Sequence, residues 1–283
     1  HIIRECTFKL DGGAMYGVVP KSLWNKADPA DEQNRVSLAC NLLLIETAAG
    51  RVLVETGMGA RWTDKERQRF QLESLVDHDN IVKSAGLNHE DIDAVVLSHL
   101  HFDHAGGATA VIDGELRPAF PRARYYVQKG EWEFAHKANQ RARASYRRDD
   151  FEPLSQAGVL EYLDGDSEIL PGVNVRVTGG HTSHHQVITF QSRGKRGVYF
   201  ADIIPTRNHL SPPWVMGYDH YPLDSCDVKS EYLATAASQN WLVVFDHEIE
   251  TPWGHVCLSD DNKFAWQPLE ADSLSPAATL SER

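Results

Sequence analysis

Residues 94–107 read Ala-Val-Val-Leu-Ser-His-Leu-His-Phe-Asp-His-Ala-Gly-Gly, an apolar, β-branched run passing into three histidines and an aspartate within six residues. Neutral imidazoles mixed with a carboxylate suit zinc, manganese or iron(II), whereas calcium asks for oxygen donors alone. In an extended chain His99 and His101, two residues apart, share a side. If the chain coils after Phe102, Asp103 and His104 fan out toward a second point, and the small residues that follow permit a close turn. Three later clusters offer more donors: Gly179-Gly180-His181-Thr182, Ala201-Asp202-Ile203 and Val244-Phe245-Asp246-His247. Each sits just past an apolar run, where layered sheets commonly place their sites. One such cluster alone is ordinary strand-end capping. Their recurrence in this order argues for one metal-binding site.

The elements that must present these residues are short. Strands are expected at Asn41–Glu46, Arg51–Glu55, Ala94–Ser98, Arg124–Gln128, Val173–Thr178, Gln186–Gln191, Val198–Ala201 and Trp241–Phe245, all β-branched or aromatic and bounded by Gly, Asp or Pro. Helices are expected at Asp64–Ala85, Lys129–Tyr146 and Asp227–Asn240 by length and composition. Early hairpins followed by strands alternating with helices give an α/β layered fold. Residues 1–266 read as a single domain, with 267–283, rich in Ser, Pro and Ala, as a loosely held tail.

Composition narrows the function classes. The 283 residues carry 40 Asp plus Glu against 28 Lys plus Arg, a formal charge of −12, which disfavours nucleic acid or an anionic membrane as partner. The stretch Arg141–Arg148 holds four arginines, but in so acidic a chain it reads as a solvated or oligomer face. No run of 18 apolar residues occurs, so no spanning helix is expected. Cys6, Cys40, Cys226 and Cys257 are far apart and form no CxxC pair. They read as free thiols of a reduced, cytoplasmic-type chain. Secretion is left open, because the sequence starts at His1. Neither a GxSxG nucleophile elbow nor a phosphate-binding glycine loop is present.

The ordered His-x-His-x-Asp-His motif and the three clusters behind it resemble the metallo-β-lactamase superfamily, along with the early Asn41–Gly57 hairpin. The resemblance implies an αββα sandwich with a dinuclear site along one edge of its two sheets. By motif, His99, His101 and His181 would hold one ion, Asp103, His104 and His247 the second, and Asp202 would bridge them. Two divalent transition metals are implied, zinc foremost, with manganese, cobalt or iron as alternatives. Asp11–Pro20 and Trp214–Asp219 resemble more narrowly the quorum-quenching lactonase branch. Two departures stand out. The usual Gly-His-Thr-Pro-Gly-His is here Gly180-His181-Thr182-Ser183-His184-His185, which leaves His185 behind the site and His184 toward solvent. Pro205 occupies the place where some lactonases carry a carbonyl-assisting tyrosine, so Tyr218 or His209 is the expected substitute.

The resemblance further implies attack by a metal-bridging hydroxide on a lactone, N-acyl homoserine lactones foremost, with Asp103 moving the proton to the leaving alkoxide. His101 stands where the redox branch of the superfamily carries Glu, which favours hydrolysis. Met15, Tyr16, Val18, Trp24, Trp214, Met216 and Tyr218 are candidates for an apolar wall holding an acyl tail. The alternative enzyme is an arylesterase or phosphotriesterase on the same site, with a β-lactamase proper ranked lower. A non-catalytic metal-binding scaffold is the alternative from another class. The expected partner is a small-molecule ester or lactone, and a homodimer is left open.

Overall fold

The computed structural model describes residues 1–269. The chain begins with β1 (Ile2–Asp11), helices α1 (Gly12–Tyr16) and α2 (Lys21–Ala27), β2 (Arg35–Thr47), β3 (Gly50–Val54), α3 (Asp64–Phe70) and β4 (Glu73–Ser74). It continues through β5 (Ala94–Val96), α4 (Phe102–Ala105), a β6–β7 hairpin (Thr109–Ile112, Glu115–Pro118), β8 (Arg124–Gln128), α5 (Lys129–Lys137), α6 (Glu152–Gln156) and β9 (Leu160–Leu163). The second half holds β10 (Ser167–Leu170), β11 (Val173–Val177), β12 (Gln186–Ser192), β13 (Lys195–Tyr199), α7 (Pro222–Ser238), β14 (Leu242–Val244), β15 (Trp253–Leu258) and β16 (Phe264–Pro268). Two seven-stranded sheets result, ordered β4-β1-β2-β3-β5-β8-β9 and β10-β11-β12-β13-β14-β15-β16.

Alternation along the central strands explains why these sheets stack with helices outside. Successive side chains point to opposite faces of a strand. Leu43, Val52, Val54 and Val96 therefore pack inward against Val175, Ile188, Tyr199 and Val244 of the other sheet. Their neighbours Leu42, Leu44, Leu53 and Val95 face outward onto Ala135, Phe151 and Leu154. On the far side Val187, Val198 and Val243 meet Leu233 and Ala236 of α7. The order is helix, sheet, sheet, helix, the αββα sandwich that the motif implied. Among the described residues no helix is long and apolar enough to cross a membrane.

Local chemistry overrides several expected boundaries. The helix expected over Asp64–Ala85 starts on a Thr63–Glu66 capping box but stops at Phe70, where Gln71 turns left-handed at φ 49°. The one expected over Lys129–Tyr146 ends at Lys137, and the Asn139 side chain then accepts from Arg141 and Ala142 N–H to form a turn. The third runs from Pro222, whose missing N–H is harmless in a first turn, to Ser238. Strand β1 was not anticipated; a bulge between Arg4 and Cys6 breaks its alternation. That strand also sets Cys6 opposite Cys40, thiols far apart in sequence. Gln267 and Pro268, assigned above to the tail, pair in β16 with His255 and Gly254, while 270–283 lie outside the described residues.

Candidate metal centre

The candidate donors lie in the segments that follow β5, β11, β13 and β14, with Asp103 and His104 already in α4. Beyond β5 the chain bends at Ser98 and enters α4 with His101 as its N-cap, so Asp103 and His104 lie in the helix's first turn. The glycines that close this turn are required: a Cβ on Gly107 would lie 2.2 Å from the Thr56 carbonyl. His181 follows β11 behind Gly180, at φ +78°, where a Cβ would strike Ser225 and Ile203. Asp202 lies in a 3₁₀ turn after β13, directly behind Ala201 at φ 47°. His247 follows β14.

Two groups of buried donors form there. His99, His101, His181 and Asp202 offer one ligand-type atom each, all within 4.8 Å of one another, and His104, Asp202, Asp246 and His247 do the same. Asp202 belongs to both. Its Oδ2 is 3.0 Å from His181 Nε2 and 3.4 Å from His104 Nε2, while its Oδ1 is 3.1 Å from His247 Nε2. Asp103, expected in the second group, stands slightly outside it, with Oδ2 3.7 Å from His247 Nε2. Asp246 is the closer carboxylate, at 3.4 Å from the same nitrogen. Its sequence position beside His247 was the only signal for it.

The electrostatics are those of a cation site. His99 Nε2, His101 Nε2, both ring nitrogens of His104, Asp202 Oδ1 and both Asp246 oxygens are buried without a hydrogen-bond partner. Leaving so many polar atoms unsatisfied would cost about 1–3 kcal/mol each. A divalent transition metal satisfies such imidazole and carboxylate lone pairs together, so the residues present fit the ions the motif implied. Burial and then neighbouring imidazoles push His99 and His101 well below the usual range. Burial opposes protonation of His181 and His247 too, but the carboxylates outweigh it and raise them to about 10 and 9. Burial favours the neutral acid at Asp202, yet His181, His104 and His247 hold it well below the carboxylate range.

The outer ring nitrogens are fixed from behind. Ser98 Oγ lies 2.8 Å from His99 Nδ1, His181 Nδ1 donates to Asp219 at 2.9 Å, and His247 Nδ1 donates to the Ala39 carbonyl at 2.8 Å. These contacts orient Nε2 of each ring inward. Glu131 of α5, fully buried, accepts from Leu100 N–H, Thr182 Oγ1 and Tyr146 Oη. Glu55 accepts from Ser98 N–H at 2.9 Å. Glu55, Glu131 and Asp219 carried no recognisable spacing in the sequence. His185 packs behind, its ring 5.3 Å from that of His99, and contributes to neither group. His184 lies over Gly130, half-buried.

A cavity of about 210 Å³ opens onto His101, Asp103, His181, Asp202 and His247. Of the expected wall residues, Met15, Met216 and Tyr218 line it. The others do not. Tyr16 is buried between Trp24 and His209 and donates to Asp28, Trp214 meets the edge of that stack, and Val18 is 88% exposed. His209 uses both ring nitrogens, on Thr206 Oγ1 and the Met15 carbonyl, and is absent from the cavity lining, which removes it as a carbonyl assistant. A larger cleft, of about 480 Å³ beside α7, holds none of the clustered donors.

Residues 36–247 match the family model of the metallo-beta-lactamase superfamily, three-quarters of the chain. The chain belongs to this superfamily. Within it, the chain is 31% identical over 159 residues to an N-acyl homoserine lactonase from a Bacillus species, covering 53% of this chain and 57% of that one. It is 32% identical over 200 residues to a probable metallo-hydrolase from Mycobacterium tuberculosis, covering 62% and 60%. The matches thus span about three-fifths of these relatives' length. The solved structure of a probable metal-dependent hydrolase from Staphylococcus aureus superposes with a TM-score of 0.85 at 31% identity, over 95% of this chain and 97% of that one. A dizinc quorum-quenching lactonase shares the fold, with a TM-score of 0.73 at 20% identity over 95% and 93%.

Proposed function

We propose that this superfamily member is a dinuclear metal-dependent hydrolase that opens lactones, N-acyl homoserine lactones foremost. The observation that carries the reading is a pair of donor groups sharing Asp202 at the floor of an apolar-walled cavity. In it, His99, His101 and His181 would hold one ion and Asp103, His104 and His247 the other, with Asp202 shared between the two groups. Asp246, buried beside His104 and His247, offers a further carboxyl to the second position, and burial raises it to about 7. Bound divalent ions would supply Lewis acidity and hydroxide at neutral pH.

The chain's own residues do the rest. Met15, Phe70 and Met216 hold an acyl tail and keep water from the reacting end. Burial pushes the Tyr218 phenol up to about 12, so it stays protonated and donates a hydrogen bond to the substrate carbonyl. Asp103, which lines the cavity, takes the proton left on the attacking oxygen and passes it to the leaving alkoxide, ending in its starting ionisation state. A lactone suits this floor because its leaving group stays tethered near the second donor group. The test is turnover of lactones, aryl esters, phosphotriesters and β-lactams by the full chain, with metal content measured on the same sample. Lactones should lead in kcat/KM by tenfold or more. Cleavage of phosphotriesters alone would overturn the reading.

A further inference from the structure

Lys229 is a lysine of α7 only 1% exposed, in a part of the molecule that the chemistry above does not use. Its Nζ donates to the carbonyls of Ser211, at 3.3 Å, and Trp214, at 2.5 Å. These two carbonyls belong to one turn, closed by Trp214 N–H donating to the Ser211 carbonyl. The segment that follows is a wall of the metal cavity. Met216 and Tyr218 line the cavity, Gly217 N–H donates to the Ala14 carbonyl, and Asp219 accepts from His181 Nδ1. Its far end is hydrogen-bonded to the His181 loop itself, with His220 N–H on the His181 carbonyl and Tyr221 N–H on the Gly180 carbonyl. Residues 211–221 thus run from Lys229 to the metal ligand.

An ammonium buried on backbone carbonyls is an expensive way to fill a core position, because its desolvation is large and carbonyls return only part of it. An apolar side chain of similar length would fill the volume and leave the turn untied. We propose that Lys229 is a positioning residue for the substrate cavity: it pins the Ser211–Trp214 turn and thereby fixes where Met216, Tyr218 and Asp219 stand. The assignment rests on the hydrolase reading only in taking that cavity as the substrate site. Burial lowers the amine to about 7 from 10.5, with Asp219 and Cys226 opposing the shift and His209 the other titratable group beside it. The folded chain therefore binds fewer protons than the unfolded chain between these values, and stability should gain with rising pH across that window.

The test is amide hydrogen exchange of the full chain treated with chelator, followed by kinetics after metal is restored. In Lys229→Met, amides of 211–221 should exchange at least tenfold faster while those of both sheets stay within twofold. KM for a lactone should rise about tenfold, more than kcat falls. The gain in stability between pH 7 and 10.5 should shrink relative to wild type. Lys229→Arg, which keeps a cation and donors, should recover part of the protection. Lys229→Gln guards against a folding defect in the Met variant: loosening confined to 211–221 in either supports the assignment. Exchange at the wild-type rate in that segment, or equal acceleration across both sheets in both variants, would overturn it. A loosened segment in a chain that opens no lactone would remove the lactonase reading and leave this one standing.

Discussion

Replacing Glu131 should separate the support of the metal loops from the ligands themselves. Its Oε1 accepts from Leu100 N–H at 3.2 Å and Tyr146 Oη at 3.0 Å, and its Oε2 accepts from Thr182 Oγ1 at 2.7 Å. Leu100 lies between His99 and His101, Thr182 follows His181, and the Tyr146 ring meets that of His101 edge-on at 4.7 Å. In Glu131→Ala the Leu100 N–H, buried and fixed, loses its acceptor at about 1–3 kcal/mol. The two hydroxyls can rotate and should cost about 1 kcal/mol each, while relief of a buried carboxylate offsets part of the total. A net loss of about 3 kcal/mol should lower the melting midpoint by about 6–12 °C. Glu131→Gln keeps the Oε1 acceptor and can donate to Thr182, so it should cost about 1 kcal/mol, or about 2–4 °C. Thermal unfolding of the chelator-treated chain reads this directly. Competition with a chromophoric chelator should show metal affinity about tenfold or more weaker in Glu131→Ala. A midpoint within about 2 °C of wild type, or a Gln variant as damaged as Ala, would refute the reasoning.

Three further outcomes are expected. Asp202→Ala should reduce metal content from two ions per chain to below one by elemental analysis; two ions and normal turnover would remove its shared role. Because protons compete with metal for the imidazoles, occupancy should fall progressively as pH drops below neutrality, and content unchanged in acid would contradict the donor set. For homoserine lactones, kcat/KM should rise by up to about fourfold per added methylene until the cavity fills, from about 0.8 kcal/mol each. Met216→Ala should flatten that rise and Trp214→Ala should not, since Trp214 packs edge-on against Tyr16 and does not line the cavity; equal turnover of short and long chains would sink the acyl-tail assignment.

The metal motif was legible because its donors are local. The chain leaves β5 and coils into α4, which sends His99 and His101 to one donor group and His104 to the other within six residues. The supports behind it are not local. Glu131 is an acidic residue in the first turn of a helix, where helix propensity and the macrodipole would favour it on any surface. Only tertiary packing against Leu100, 31 positions away, makes it a buried acceptor. Asp246 had an equally poor signal, since a carboxylate adjacent to a histidine at a strand end is common. Wall residues fail for a different reason: Tyr16, Trp24 and Trp214 have the composition of a ligand pocket, but their rings satisfy one another. The long expected helices were lost to single residues, Gln71 turning left-handed and Asn139 bonding the backbone ahead of it.

The backbone around the donors carries strain where the sequence gives no glycine. Glu55, at φ 63°, and Ala201, at φ 47°, are both left-handed, a region that costs non-glycine residues about 1 kcal/mol or more. Glu55 ends the path of β3 with its carboxylate on Ser98 N–H, and its other oxygen is 3.7 Å from His104 Nδ1. Ala201 ends the path of β13 and hands the chain to Asp202. Both sit just past the end of a strand, Glu55 after β3 and Ala201 after β13. Acidic groups from the two sheets thereby meet at His104, Glu55 at one ring nitrogen and Asp202 at the other. The strands that precede them are anchored in the packed pair of sheets, with Val52, Val54 and Tyr199 buried between them.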